Sequence, residues 1–161
     1  MALNAYLSIV AQRQGPIRGS VIQKGREGKI LVMGAMHEIV APRDPASGIP
    51  TGKRAHKPFT ILKELDRSTP YLFNILTNNE NISSAEIQFW QPSPMGVERQ
   101  HYTVRFVNAN IASIHFKMPN NRLVKLARLT EYEEVAFTYQ RIEWIWNDGN
   151  LSSVDDWETP R

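Results

Sequence analysis

The residues whose types and spacing most suggest chemistry lie in the stretch GIPTGKRAHKP, Gly48 to Pro58. Two glycines followed by a lysine are the ingredients of a phosphate-binding loop, where backbone N–H groups cradle the phosphates and the lysine neutralises them. The spacing does not fit. That loop needs four residues between its first glycine and the Gly-Lys pair, and three separate Gly48 from Gly52. Lys53 is followed by Arg54 instead of the Ser or Thr that would hold magnesium. The loop must also open a helix, whose N-terminal amides and dipole bind the anion, and His56-Lys57-Pro58 leads into a β-patterned segment. No nucleotide cofactor is expected here.

Other reactive side chains form no recognisable constellation. His37, His56, His101 and His115 are scattered, with no pair at the short spacing that ligation from one strand or one helix turn requires. They could meet only through folding, so no metal site is expected. Glu133 and Glu134 are adjacent at the start of a β-patterned run, where alternation sends neighbours to opposite faces. A proton shared between them is therefore not expected, and both read as solvated charges. A G-x-S-x-G elbow is missing. Cysteine is absent, which removes disulfides, thiol catalysis and sulfur-rich zinc sites. The expectation is a protein without catalytic residues, not an enzyme.

A chain of 161 residues with 42% hydrophobic and 22% charged residues fits one globular domain. No apolar run approaches the roughly 18 residues of a membrane span, so stable membrane insertion is not expected. The opening MALNAYLSIVAQRQ lacks a basic region and a cleavage site. A protein made in the cytoplasm is expected, exported only by a route that needs no cleavable signal. Charge is uneven. Asp148, Asp155, Asp156 and Glu158 against Arg161 give residues 147–161 a charge of −3, leaving +6 on the rest of a chain whose net charge is +3. So mild a basic excess reads as a solvated surface and not as a nucleic-acid footprint.

The elements that must position these residues repeat with a period of two. In LNAYLSI, Leu3, Ala5, Leu7 and Ile9 share one face, while Asn4, Tyr6 and Ser8 share the other. KILVMGAMHEIV is apolar on both faces, as in a strand buried on both sides or packed against another subunit. FTILKEL, AEIQFWQ, HYTVRFV and NIASIHFKM follow as further short strands. In EVAFTYQRIEWIW the large residues fall at Val135, Phe137 and Tyr139, then at Ile142, Trp144 and Trp146. That change of phase predicts a bulge or bend near Gln140–Arg141. DRSTPYLFNILTNN predicts one short helix, with Ser68 or Thr69 as N-cap, Pro70 in the first turn, and Leu72, Ile75 and Leu76 as its apolar stripe. Asn78–Asn79 stop it. Residues 147–161 have no periodicity and read as an acidic, flexible tail, except where Trp157 docks.

The segment APRDPASGIPTGKRAHKP, 18 residues with four prolines and two glycines, separates two strands. Loops of this length inside a compact domain are functional or disordered. Prolines limit the entropy lost on ordering. Arg43, Lys53, Arg54, His56 and Lys57 face a single acid, Asp44. An arm that packs on another protein chain is the sharper reading, against a loose surface loop.

At these residues the chain resembles a known family. HEIVAPRDPASGIPTGKRAHKPFTILKELDRSTPYL, followed by IQFW, YTVRFVNANIASI and YEEVAFTYQRIEWIW, is similar to the Hcp (haemolysin-coregulated) proteins, the tube subunits of bacterial type VI secretion systems. The similarity runs from Ala2 to about Trp146, which divides the chain into an Hcp-like domain, 1–146, and the tail, 147–161. NRLVKLARLT, Asn121 to Thr130, has no clear counterpart. The resemblance implies a mainly β fold, an antiparallel β-barrel of two sheets with one short flanking helix and a long extended loop. It implies hexameric rings stacked into a hollow tube inside a contractile sheath on a baseplate. The tube would be fired with the spike protein VgrG at its tip and would hold small effector proteins in its lumen. The protein would be cytoplasmic before firing and secreted afterwards. A carrier ring for effectors, without a stacked tube, is the alternative. The loop contacts neighbouring subunits or the next ring in the family, which maps here to Pro42, Arg43, Asp44, Pro45, Ser47, Gly48, Thr51, Gly52, Lys53, Arg54, His56 and Lys57. The acidic tail would either modulate stacking or be an inert end.

Overall fold

The computed structural model describes residues 3–158. Its elements are β1 (Asn4–Ala11), β2 (Gly15–Ile17), β3 (Ile30–Val32), β4 (Gly34–Met36), β5 (Ile39–Val40), β6 (Ala55–His56), β7 (Phe59–Glu64), α1 (Thr69–Thr77), β8 (Ile82–Pro92), β9 (Glu98–Lys117), β10 (Tyr132–Trp146) and β11 (Leu151–Asp156). The mainly β, antiparallel, single-helix architecture expected from the alternation is present. Nine strands form one sheet in the order β2-β1-β8-β9-β10-β7-β4, with β3 on β1 and β11 on β10. The second sheet is only the β5–β6 pair.

The large sheet curls but does not close as one continuous ladder. Its path ends at β2 and β4. KILVMGAMHEIV, read as one strand, is broken into β3, β4 and β5. β3 pairs with β1, as in Leu7↔Ile30, whereas β4 pairs with β7, as in Gly34↔Leu62. The chain changes partner at Met33, whose N–H donates to the Leu62 carbonyl at 2.7 Å. A bend at one residue thus brings the two margins of the sheet together, where a barrel would use a continuous strand.

Inside the curl, Leu7, Ile9, Ile61, Ile87, Phe106, Phe137 and Ile142 are buried in one apolar cluster. Leu72 and Ile75 of α1 join it, with Leu76 partly buried against it. Each fully buried side chain of this size contributes about 1.5–3 kcal/mol. Asn78 caps the helix, and the left-handed Asn79 (φ 48°) turns the chain away, matching the predicted stop. The outer face of β1 is also covered. Tyr6 is fully buried because Arg26 lies over its ring and over Trp90, 4.3 Å from the Trp90 centroid, with its charge paired to Glu98 at 2.7 Å.

The buried face of β10 changes at Gln140–Arg141, where the phase change placed it, while the register shift against β9 falls earlier, between Ala136 and Phe137. Val135, Phe137 and Tyr139 face the core, then Ile142 and Trp144. Opposite, Phe106 and Ala109 show the same skip, with Asn108 left-handed between them (φ 53°). Because both strands slip together, the register is kept across the bend, from Tyr139↔Ala109 to Arg141↔Val107. HYTVRFV and NIASIHFKM are consequently one long strand, β9. The bend also divides the neighbours of β10. Its first half pairs with β7 as far as Phe137, and its second half pairs with β11 from Arg141 onward. Thr138, Tyr139 and Gln140 lie in the notch between those two partners.

Two expectations are corrected by this arrangement. Residues 151–156 of the supposed flexible tail are a strand in register with β10, closed by the turn 147–150 and the left-handed Asn150 (φ 54°). The serine and aspartate residues there lack apolar alternation, and the ladder with β10 supplies the order that the sequence pattern does not announce. Glu133 is not a solvated charge. It is fully buried, and Lys63, equally buried, donates to it at 2.5 Å. The Lys63 ammonium also donates to Thr69 Oγ1 at 3.1 Å and lies 3.2 Å from Asp66, which ties β7 and β10 to the start of α1. Alternation does separate the two carboxylates, since Glu134 faces outward toward Lys117 at 3.4 Å.

Candidate functional site

The 18-residue loop is a folded hairpin. β5 and β6 pair at its root through Ile39↔His56 and Val40↔Ala55, and an isolated bridge joins Arg43 to Pro50 further out. Asp44 organises the tip. Its backbone N–H donates to the Ile49 carbonyl and its carbonyl accepts from the Gly48 N–H, both at 2.8 Å. Its carboxylate accepts from the Ser47 hydroxyl at 2.5 Å, an interaction that holds the carboxyl below its usual pKa. Gly48 sits at φ 72°, a conformation that penalises any residue with a Cβ. Gly48, which imitated the start of a phosphate loop, therefore builds a tight turn with Asp44.

The candidate residues divide into two groups along this hairpin. Arg43, Pro45, Ser47, Gly48, Thr51, Gly52, Lys53 and Lys57 are exposed, while Pro42 and Asp44 are half-buried. Ile49 at the tip is 62% exposed. Arg54 and His56 at the root instead turn inward onto their own chain. Arg54 donates to Asp155 through Nε at 2.5 Å and Nη2 at 2.8 Å, and to the Asp156 carbonyl at 2.9 Å. This fork-to-fork pair is the strongest geometry available to two charged side chains. It raises the arginine pKa and holds Asp155 below the usual carboxylate range.

His56 completes the clasp. Its Nε2 lies 2.7 Å from Asp155 Oδ2 and its Nδ1 lies 2.8 Å from the Tyr139 hydroxyl. On the other side of that hydroxyl, His37 Nε2 lies at 2.7 Å. Burial, and then the neighbouring His56, push the His37 pKa down. Burial and the Asp155 charge push Tyr139 well above an ordinary tyrosine. Folding thus brings together two of the four scattered histidines, while His101 and His115 lie elsewhere on β9. Among the described residues, no group of three or more His, Cys, Asp or Glu is arranged to hold a metal ion. An open cavity of about 710 Å³ borders the clasp, lined by Lys53, Lys57, Asn108, Gln140 and Trp157 among others.

No motif links Tyr139, Asp155 and His37 to the arm, since Tyr139 and Asp155 lie 83 and 99 residues from His56, and His37 reaches it only through Tyr139. One signal did point toward Asp155, the opposite charges of the tail and the arm. A second exposed surface joins β9 to β10. NRLVKLARLT, Asn121 to Thr130, forms successive turns with Leu123, Val124 and Leu129 exposed beside Arg122, Lys125 and Arg128.

Residues 6–146 match the family model described as type VI secretion system effector, Hcp. The chain belongs to the Hcp family. The major exported protein of Pseudomonas aeruginosa is 38% identical to it over 99% of this chain and 98% of that protein. A solved Hcp structure from the E. coli EAEC 042 pathovar, a doubly substituted variant, superposes with a TM-score of 0.86 at 30% identity, covering 97% of this chain and 99% of the other. The secreted protein Hcp3 of P. aeruginosa gives 0.80 at 30% identity, covering 98% and 100%. The family model ends at Trp146, while these two superpositions cover 97% and 98% of the chain. This Hcp-family chain is a type VI secretion protein with the fold of the tube subunits, and no helix among its described residues is long and apolar enough to cross a membrane.

Proposed function

We propose that this protein is the protomer of a type VI secretion tube, forming hexameric rings that stack around a hollow lumen. The family match over residues 6–146 carries the reading. Three features of the surface support it. The arm leaves the sheet as an ordered hairpin, with Pro42, Arg43, Pro45, Ser47, Gly48, Thr51, Gly52, Lys53 and Lys57 along its free part and Ile49 exposed at its tip. Such an element loses little entropy on binding, because its turn is already formed. Arg54, His56 and Asp44 set its direction. The exposed turns with Leu123, Val124 and Leu129 offer a second apolar surface, of the kind that marks protein contacts.

A ring built from one repeated heterologous contact closes on itself and leaves two faces free to stack. The tube would form in the cytoplasm within the contractile sheath on its baseplate, carry VgrG at its tip, and leave the cell when fired. Its lumen would hold small effector proteins. The absence of cysteine suits a protein that crosses redox compartments.

Native mass spectrometry and negative-stain electron microscopy test the assembly directly. Six-membered rings that stack into tubes at high concentration are expected, and a monomer at every concentration overturns the reading. Rings that never stack would favour a carrier ring. Replacing Gly48–Arg54 by a Gly/Ser linker is expected to leave the sheet folded and to reduce stacking. Unchanged assembly would remove the arm from the interface.

A further inference from the structure

The Tyr139 hydroxyl has one proton, yet two imidazole nitrogens lie within hydrogen-bond distance of it. Counting protons around this cluster restricts its states. A hydroxyl donates once, and it accepts from neighbours that carry N–H. His56 Nε2 must carry a proton, because it faces the Asp155 carboxylate. With His56 neutral, Nδ1 is bare and accepts from Tyr139, and His37 Nε2–H donates to the tyrosine oxygen. With His56 protonated, Nδ1–H donates to the tyrosine oxygen, and Tyr139 donates to a bare Nε2 on neutral His37. Both arrangements satisfy each contact along the chain Asp155–His56–Tyr139–His37.

A second added proton has no such solution. Two imidazolium rings would both donate to one oxygen, the hydroxyl proton would lose its acceptor, and two cations would sit on either side of a buried hydroxyl. Tyr139 is 6% exposed, and a water reaching it from the open cavity that it lines with His56 would take the hydroxyl proton but leave the two cations facing each other. Among the described residues, the groups facing the cluster are Arg54, Lys53 and Lys57 from the arm, Asp155, Asp156 and Glu158 at the far end, and Glu38 beside His37, which pairs with Lys57 at 3.3 Å. Arg54 already occupies the Asp155 carboxylate in a bidentate pair, which leaves that acid little capacity to offset a second imidazolium.

We propose that His37, Tyr139, His56 and Asp155 form a clasp that tolerates one added proton and opens on the second, freeing the arm from β11 in mild acid. The sign agrees with the surroundings of His37. Its pKa is depressed by burial and by His56, so the unfastened arm, with an ordinary histidine, binds protons more readily than the clasped one. Clasping is then complete above the ordinary histidine range and weakens as pH falls through it. The clasp lies within one chain, so it stands or falls independently of ring stacking.

Two measurements on the full-length protein in its native assembly test this. Imidazole NMR should show one of His37 and His56 still neutral at a pH where the other is protonated. Both titrating together as ordinary histidines would overturn the clasp. Hydrogen exchange at Val40 and Ala55–His56, corrected for the intrinsic effect of pH, should accelerate about tenfold or more from pH 7.5 to pH 5 while the β9–β10 amides stay protected. In H37Q, whose amide donates or accepts but does not ionise, the acceleration should fall below about threefold. Y139F should loosen the arm already at neutral pH and flatten its pH response. An equal acid response in wild type, H37Q and Y139F, or none in wild type, would refute the proposal.

Discussion

Two charge clusters in this protein use the same side-chain chemistry in opposite settings. At the start of α1, Lys63 and Glu133 are fully buried and join β7, β10 and the helix. At the arm, Arg54, His56 and Asp155 keep some solvent contact and join the hairpin to β11. The first is enclosed by the core, and its removal leaves a charge with nowhere to go. The second sits over the notch between β7 and β11, beside an open cavity. Burial separates a charge pair that holds the fold from one that can open without unfolding it.

The comparison is most exposed to substitution at Glu133. Glu133→Ala strands a buried ammonium and should cost about 3–5 kcal/mol, lowering Tm by on the order of 10 °C in a domain of this size. Replacing both partners, as in K63M/E133L, should recover most of that loss. A Tm for the double variant as low as that of E133A would show that the pair is not the cause. Asp155→Ala should cost less, about 1–3 kcal/mol, concentrated in the arm. Faster exchange at Ala55–His56 with little change in the β9–β10 amides would separate the two clusters, whereas loss of protection throughout would unite them.

Gly48→Ala tests the arm's tip. No atom lies within 4 Å of the added Cβ, so the cost is conformational alone, about 1 kcal/mol from φ 72°. It should appear as a mobile tip without a measurable fall in the denaturation midpoint of the sheet. Lys57→Ala sets the lower bound. The Lys57 and Glu38 side chains are both more than half exposed, and such pairs contribute well under 1 kcal/mol. A larger change in thermal denaturation would mean that Lys57 has another partner.

Most of the fold was legible because alternation is local. Leu7 and Ile9 face the core because strand geometry sends them there whatever the partner strand is. The phase change at Gln140–Arg141 was likewise visible, since a bend in a strand must shift its buried face. The helix announced its start through Pro70 and its stop through Asn78–Asn79, whereas Ser68 holds the N-cap position without a side-chain cap bond and donates to Asp66 instead. The site was less legible. The exposed half of the arm follows from its prolines, glycines and cations, but its clasp depends on His37, Tyr139 and Asp155, which no spacing rule links.

The sequence by itself determined a mainly β protein with one short helix, a long basic loop, and membership in a family of secretion proteins. Each rests on patterns carried by neighbouring residues or by a contiguous set of motifs. Only the tertiary structure decided that Glu133 is buried against Lys63, that the acidic end of the chain is a strand, and that the sheet bends at Met33 instead of closing. It also decided that Arg54 and His56 grip their own chain while Lys53 and Lys57 face outward. These outcomes depend on which side chains meet after long loops close, and on what water can still reach. A linear pattern of residue types does not contain that information.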